Sequence, residues 1–126
     1  MNEMTVRMHA YAVVWIDHLI AKIFLIGLTG VSATDVRAHL SSQRLHYKAN
    51  TSGSACVSDD STFLTRVSEA LSNCTDLLII GPDTEKTELM HFLKTKRPNL
   101  ALQVEPSDHP TNREIVALGR KRFRLD

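Results

Sequence analysis

Apolar residues concentrate first in Ala10–Leu28, AYAVVWIDHLIAKIFLIGL, where two runs rich in Val, Ile, Phe and Trp are joined by Asp17-His18. β-Branched and aromatic runs of this length, separated by two polar residues and closed by Gly27, predict the two antiparallel strands of a hairpin. In Ala10–Asp17 both alternating faces are apolar, with Tyr11, Val13 and Trp15 on one and Ala12, Val14 and Ile16 on the other. Such a strand needs cover on both sides. Ile20–Leu28 repeats the pattern with Lys22 as its polar exception. After the Gly27–Gly30 turn comes a more polar third strand, Val31–Leu40, suited to a sheet edge with Asp35, Arg37 and His39 outward.

The period then changes. Ser41–Asp60 holds few large apolar residues and reads as the main loop, of a length that is usually functional or mobile. Asp60 or Ser61 can cap a helix whose apolar positions, Phe63, Leu64, Val67, Ala70, Leu71 and Cys74, fall on one face. Asp76–Ile80 is a short, dense strand stopped by Gly81-Pro82. Asp83 or Thr84 opens a second helix to Lys96 with Leu89, Met90, Phe92 and Leu93 as its stripe, and Pro98 ends that segment. A strand over Ala101–Val104 follows. Thr111 and Glu114 have capping-box spacing before a last helix with Ile115, Val116, Gly119 and Phe123 inward. The order βββαβαβα predicts a ribonuclease H-like α/β fold: a mixed sheet with an antiparallel N-terminal meander, flanked by helices, in one domain spanning 1–126.

At 126 residues and a net charge of +1, the chain is the size of one core, and its overall charge makes no case for nucleic acid. Cys56 and Cys74 are too few for a disulfide scaffold and too far apart for a metal knuckle, so both are expected as reduced thiols. Asp17, His18 and Lys22 break the N-terminal apolar stretch short of the ~18–20 residues a membrane span needs, so a soluble, cytoplasmic protein with no membrane partner is expected.

Several stretches resemble one family. The opening AVVWIDHLIAKIFLIG is similar to the start of the middle domain of the eukaryotic and archaeal peptide-chain release factors, of Pelota and of their bacterial relatives. SEALSN, LLIIGPDTEKTELMHFL and DHPTNREIVALGRKRF continue the match, which looks most like the small stand-alone bacterial translational machinery proteins. The resemblance implies a translation-related role with RNA or the ribosome as partner. In release factors the connection after the third strand carries the Gly-Gly-Gln motif of peptidyl-tRNA hydrolysis. Here it reads His46-Tyr47-Lys48-Ala49-Asn50-Thr51-Ser52-Gly53-Ser54-Ala55, with a lone Gly and no Gln. The hydrolytic residues do not carry over, and a non-enzymatic protein without a cofactor is expected.

Three readings of the candidate residues stay open. In the first, His46, Tyr47, Lys48, Asn50 and Gly53 of the loop contact RNA together with Arg120, Lys121, Arg122 and Arg124. The bland account of these cations, and of Lys94, Lys96 and Arg97, is helix C-terminal capping. In the second, Asp17, Asp83 and Asp108 are the Mg²⁺ ligands of a nuclease, although Asp17 and Asp83 also suit a turn and a helix cap. In the third, the chain is an interaction module that forms a homodimer through the Val31–Leu40 edge. Gly81-Pro82-Asp83-Thr84 with Lys86 reads as a turn, since it lacks a phosphate-loop pattern.

Overall fold

Tyr11–Ile16 forms β1, the middle strand of a five-stranded sheet ordered β3-β2-β1-β4-β5. The other elements are β2 (Ile20–Ile26), β3 (Val31–Arg37), α1 (Gly53–Ala70), β4 (Asp76–Gly81), α2 (Glu85–Lys96), β5 (Ala101–Pro106) and α3 (Asn112–Arg122). The computed structural model describes residues 9–27, 30–38 and 53–125, with side chains in the last stretch from Thr62 onward. β1, β2 and β3 form the antiparallel meander, while β4 runs parallel to β1 and β5 parallel to β4. The expected order βββαβαβα and mixed sheet are therefore both present.

The two apolar faces of β1 are buried against different helices. Ala12, Val14 and Ile16 join Phe63 and Val67 of α1, Leu71 just beyond it, and Leu89 and Leu93 of α2 in one core. Val13 and Trp15 join Phe24, Ile26, Leu78, Ile80 and Ile115 of α3 in the other, with Tyr11, Val116 and Phe123 at its margin. Each fully buried Leu, Ile or Phe stabilises the fold by roughly 1.5–3 kcal/mol, so the sheet is held from both sides by hydrophobic burial. Two glycines permit close approach. A Cβ on Gly119 would collide with the Val13 and Ile26 side chains, and one on Gly81 would strike the backbone oxygen of Ile16. Gly119 thus lets α3 lie directly on β1 and β2.

Several boundaries differ from those read in the sequence, three of them by two residues or more with a physical reason. α1 begins at Gly53, so the polar connection is shorter than Ser41–Asp60, and Gly53 is the first residue of a helix rather than part of a loop. No Pro and no further Gly interrupts Gly53–Ala70. A helix propagating from Phe63 can therefore run back through Ser and Asp residues that only mildly disfavour it. β3 stops at Arg37, with Ala38 donating to the Leu19 carbonyl at 2.9 Å. β5 continues to Pro106, which is tolerated because β5 is an edge strand. The other edge is β3, where Asp35 and Arg37 are exposed as expected; His39 lies outside the described residues.

Candidate functional site

Candidate side chains gather at the two ends of the sheet. At the end where β1 finishes, Asp17 ties off the hairpin: its Oδ1 accepts the backbone N–H of Leu19 at 2.8 Å and of Ile20 at 2.9 Å. The next residue, His18, projects across to the start of α2. Its Nδ1 lies 3.1 Å from Glu85 Oε1 and its Nε2 3.2 Å from Asp83 Oδ2. Glu85 is buried, while the His18 side chain is 62% exposed. A neutral imidazole carries one N–H, so only the imidazolium donates to both carboxylates. Partial burial lowers the His18 pKa, but the hydrogen bond to Glu85 and the charges of Asp83, Glu85 and Asp17 outweigh it and hold the imidazole above its usual value of 6.5. Asp83 Oδ1 also accepts the Glu85 backbone N–H at 3.2 Å, a helix-opening role anticipated from its position, and Lys86 Nζ donates to the Asp83 carbonyl at 2.7 Å.

Trp15 completes this end. Its Nε1–H donates to the Asp108 carbonyl at 2.7 Å, the His109 ring packs at 5.0 Å, and Lys22 Nζ lies 5.8 Å from the ring centroid on cation–π terms. Asp108 thus contributes its backbone here, and its side chain is exposed. Asp17 and Asp83 both come near His18, but among the described residues no three His, Cys, Asp or Glu side chains are placed to hold a metal ion. The Asp17, Asp83 and Asp108 trio does not fit a two-metal nuclease centre. The Glu85 partnership was invisible in the sequence, because it joins residues 67 positions apart.

The three helices among the described residues all end where β1 begins. Thr75, after α1, donates its N–H to the Ala10 carbonyl at 2.7 Å. Arg97, after α2, donates to the carbonyls of Leu71 and Cys74 at 2.6 Å each. Phe123, after α3, packs on Tyr11 with ring centroids 4.8 Å apart. Lys94, Lys96, Lys121 and Arg124 are exposed at this end and Arg120 half-buried, whereas Arg122 is paired with Glu105 of β5. Arg97 and Arg122 therefore have structural work, and Lys96 Nζ lies 5.5 Å from the Phe92 ring centroid. The α3 terminus is a Schellman turn: Leu125 N–H bonds the Arg120 carbonyl at 2.8 Å, Arg124 N–H bonds that of Lys121 at 3.2 Å, and Arg124 takes φ 61°, a left-handed position that favours Gly. Cys74 is a free, buried thiol whose pKa burial pushes up against the opposing pull of Arg97, the environment of an inert core residue. His46, Tyr47, Lys48 and Asn50 lie outside the described residues, and so does the Cys56 side chain.

A five-stranded mixed sheet between two helices and one defines the class: the fold matches that of the Pelota middle domain. Among solved structures, the Archaeoglobus fulgidus Pelota is 16% identical, with 98% of this chain and 34% of that one covered at a TM-score of 0.64. An archaeal translation termination factor, aRF1, is 12% identical, with 92% and 36% covered at 0.61. An archaeal Pelota bound to the ribosome with ABCE1 is 23% identical, with 90% and 34% covered at 0.58. At these identities the likeness is one of fold, and the chain spans about a third of the length of the structures it matches. No family model and no curated protein sequence matches the chain.

Proposed function

We propose that this chain is a translation-related, non-enzymatic domain acting in the cytoplasm by engaging RNA or the ribosome. The observation that carries this reading is the fold, shared over 90–98% of the chain with a translation termination factor and with Pelota proteins, one of them bound to the ribosome. Helix C-termini gathered at one end of the sheet add a rim of cations suited to phosphate contact. Lys48 and its neighbours His46, Tyr47 and Asn50 supply a second contact in the connection between β3 and α1, which lacks a Gly-Gly-Gln motif. Among the described residues no helix is long and apolar enough to cross a membrane.

Co-sedimentation with ribosomes at two salt concentrations tests the reading. Lys94, Lys96, Arg120, Lys121 and Arg124 acting on phosphates would give a log-log salt slope of about −3.5 on single-stranded RNA. Association is expected to fall in Lys48→Ala and in the Lys121→Glu, Arg124→Glu double variant. A flat salt response would count against the reading, and Mg²⁺-dependent cleavage lost in Asp17→Asn would replace it with the nuclease. Pairing of two copies through β3 is a second reading, favoured by an edge on which six of seven residues are exposed. A molecular mass by light scattering that stays monomeric at all concentrations would dismiss it.

A further inference from the structure

Three features that the sequence does not connect converge where β1 begins. The first is a row of rings. His9 stacks on Tyr11 with centroids 5.9 Å apart and planes 15° apart, and Tyr11 in turn packs on Phe123. His9 ends the row with a side chain 56% exposed, oriented by a 3.0 Å contact from Nδ1 to Asp76 Oδ1. Thr75 Oγ1 donates to the same Asp76 oxygen at 2.7 Å, so this carboxylate is engaged within the protein. The second is an open cavity of about 560 Å³ beside the row, lined by His9, Tyr11, Leu25, Val31 and Asn73 among others. Its size falls in the ~300–1,000 Å³ range of small-ligand sites. Two of its walls, Leu25 and Val31, are among the few large apolar side chains left exposed among the described residues. The third is the α3 turn that carries Phe123, flanked by Lys121 and by Arg124 in its left-handed conformation. Glycine suits that conformation better, so the arginine sits there against backbone preference.

We propose that this end of the sheet binds unpaired nucleotides of single-stranded RNA, a base stacking on the exposed face of His9 while Lys121 and Arg124 meet the phosphates. The proposal rests on the RNA reading above and specifies the form of RNA and the surface. A ring whose other face is backed by Tyr11 and Phe123 is a ready-made stacking platform, and stacking accepts any base. The neighbouring cations track the backbone, and paired RNA is excluded from the row because its bases are already stacked on one another.

Fluorescence anisotropy with a labelled oligoadenylate of roughly ten nucleotides, and with the same strand in a duplex, tests this. The single strand is expected to bind more tightly than the duplex. His9→Ala, with an unchanged thermal melt, is expected to weaken it about five- to tenfold, and His9→Phe to restore it. Lys121→Ala with Arg124→Gly is expected to flatten the salt slope by about 1.4. Binding by the wild type that ignores both His9 substitutions, or that prefers the duplex, overturns the platform and leaves the broader RNA reading standing. A wild type that binds neither probe and no ribosomes overturns both.

Discussion

Where β1 finishes, ionisable side chains close on one another: His18 bridges Asp83 and Glu85, Asp17 holds its own turn, and Trp15 is covered by His109 and Lys22. Where β1 begins, Arg97 holds two backbone carbonyls, Arg122 pairs with Glu105 and Lys96 lies over Phe92, but Lys94, Lys121 and Arg124 face solvent next to an exposed ring and an open cavity. The first arrangement is what structural ion pairing produces, because each group satisfies another and little is left for a ligand. The second leaves charge and apolar surface open to solvent, as the proposed contact with RNA requires. Both ends hang from the same two cores, so the comparison can be broken at the core or at either end.

The largest effect is expected from Leu71→Asp, which puts an unpaired carboxylate into the α1 and α2 core. A loss above about 4 kcal/mol should abolish cooperative unfolding and both ends with it, read by circular dichroism and urea titration. Gly119→Val is narrower. Its side chain must displace Val13 and Ile26, costing about 2–3 kcal/mol and lifting α3 from the sheet. The Phe123–Tyr11 contact should be lost while the His18 bridge survives, and histidine and aromatic NMR shifts at the two ends distinguish the outcomes. Equal perturbation at both would show that the ends are not separable.

The parts legible in the sequence were those written in local periodicity. The Ala10–Leu28 hairpin, the Thr111–Glu114 capping box and the stop at Pro98 depend on neighbours a few positions apart. The start of α1 at Gly53 is hidden because Asp60 and Ser61 favour caps, and a helix already propagating overrides that preference. Both ends of the sheet were harder still. Asp17 was recognisable as a turn residue, but Glu85 facing His18, or Phe123 facing Tyr11, follows from β1 lying between β2 and β4 with helices on opposite faces. His9 is not legible in the sequence, since a histidine before a strand has no signal of its own until a second ring lies over it.

Arg124→Gly should act in the opposite sense to the core changes. Relieving an L-residue from φ 61° is worth about 1 kcal/mol, partly offset by the freedom Gly gains in the unfolded chain, so stability should rise by roughly 0.5 kcal/mol. A raised melting temperature together with weaker RNA binding would sharpen the contrast between the ends, since the same residue would be a defect for folding and an asset for contact. No change in stability would mean the Schellman turn tolerates arginine as well as glycine.

The smallest effect belongs to His18 and depends on pH. An imidazole whose folded-state pKa lies above the unfolded 6.5 contributes its full stabilisation below pH 6.5, and that contribution fades as pH rises through the folded value. With the ring 62% exposed, solvent screens the pair and keeps the gain within about 1 kcal/mol. His18→Gln removes the titration while keeping a polar side chain of similar reach. The stability difference between wild type and variant should therefore be greatest in acid and vanish in mild alkali, read as urea midpoints across that range. A difference that grows with pH would mean the neutral ring is the one Glu85 holds, and the closed end would then be organised by a single hydrogen bond rather than by charge.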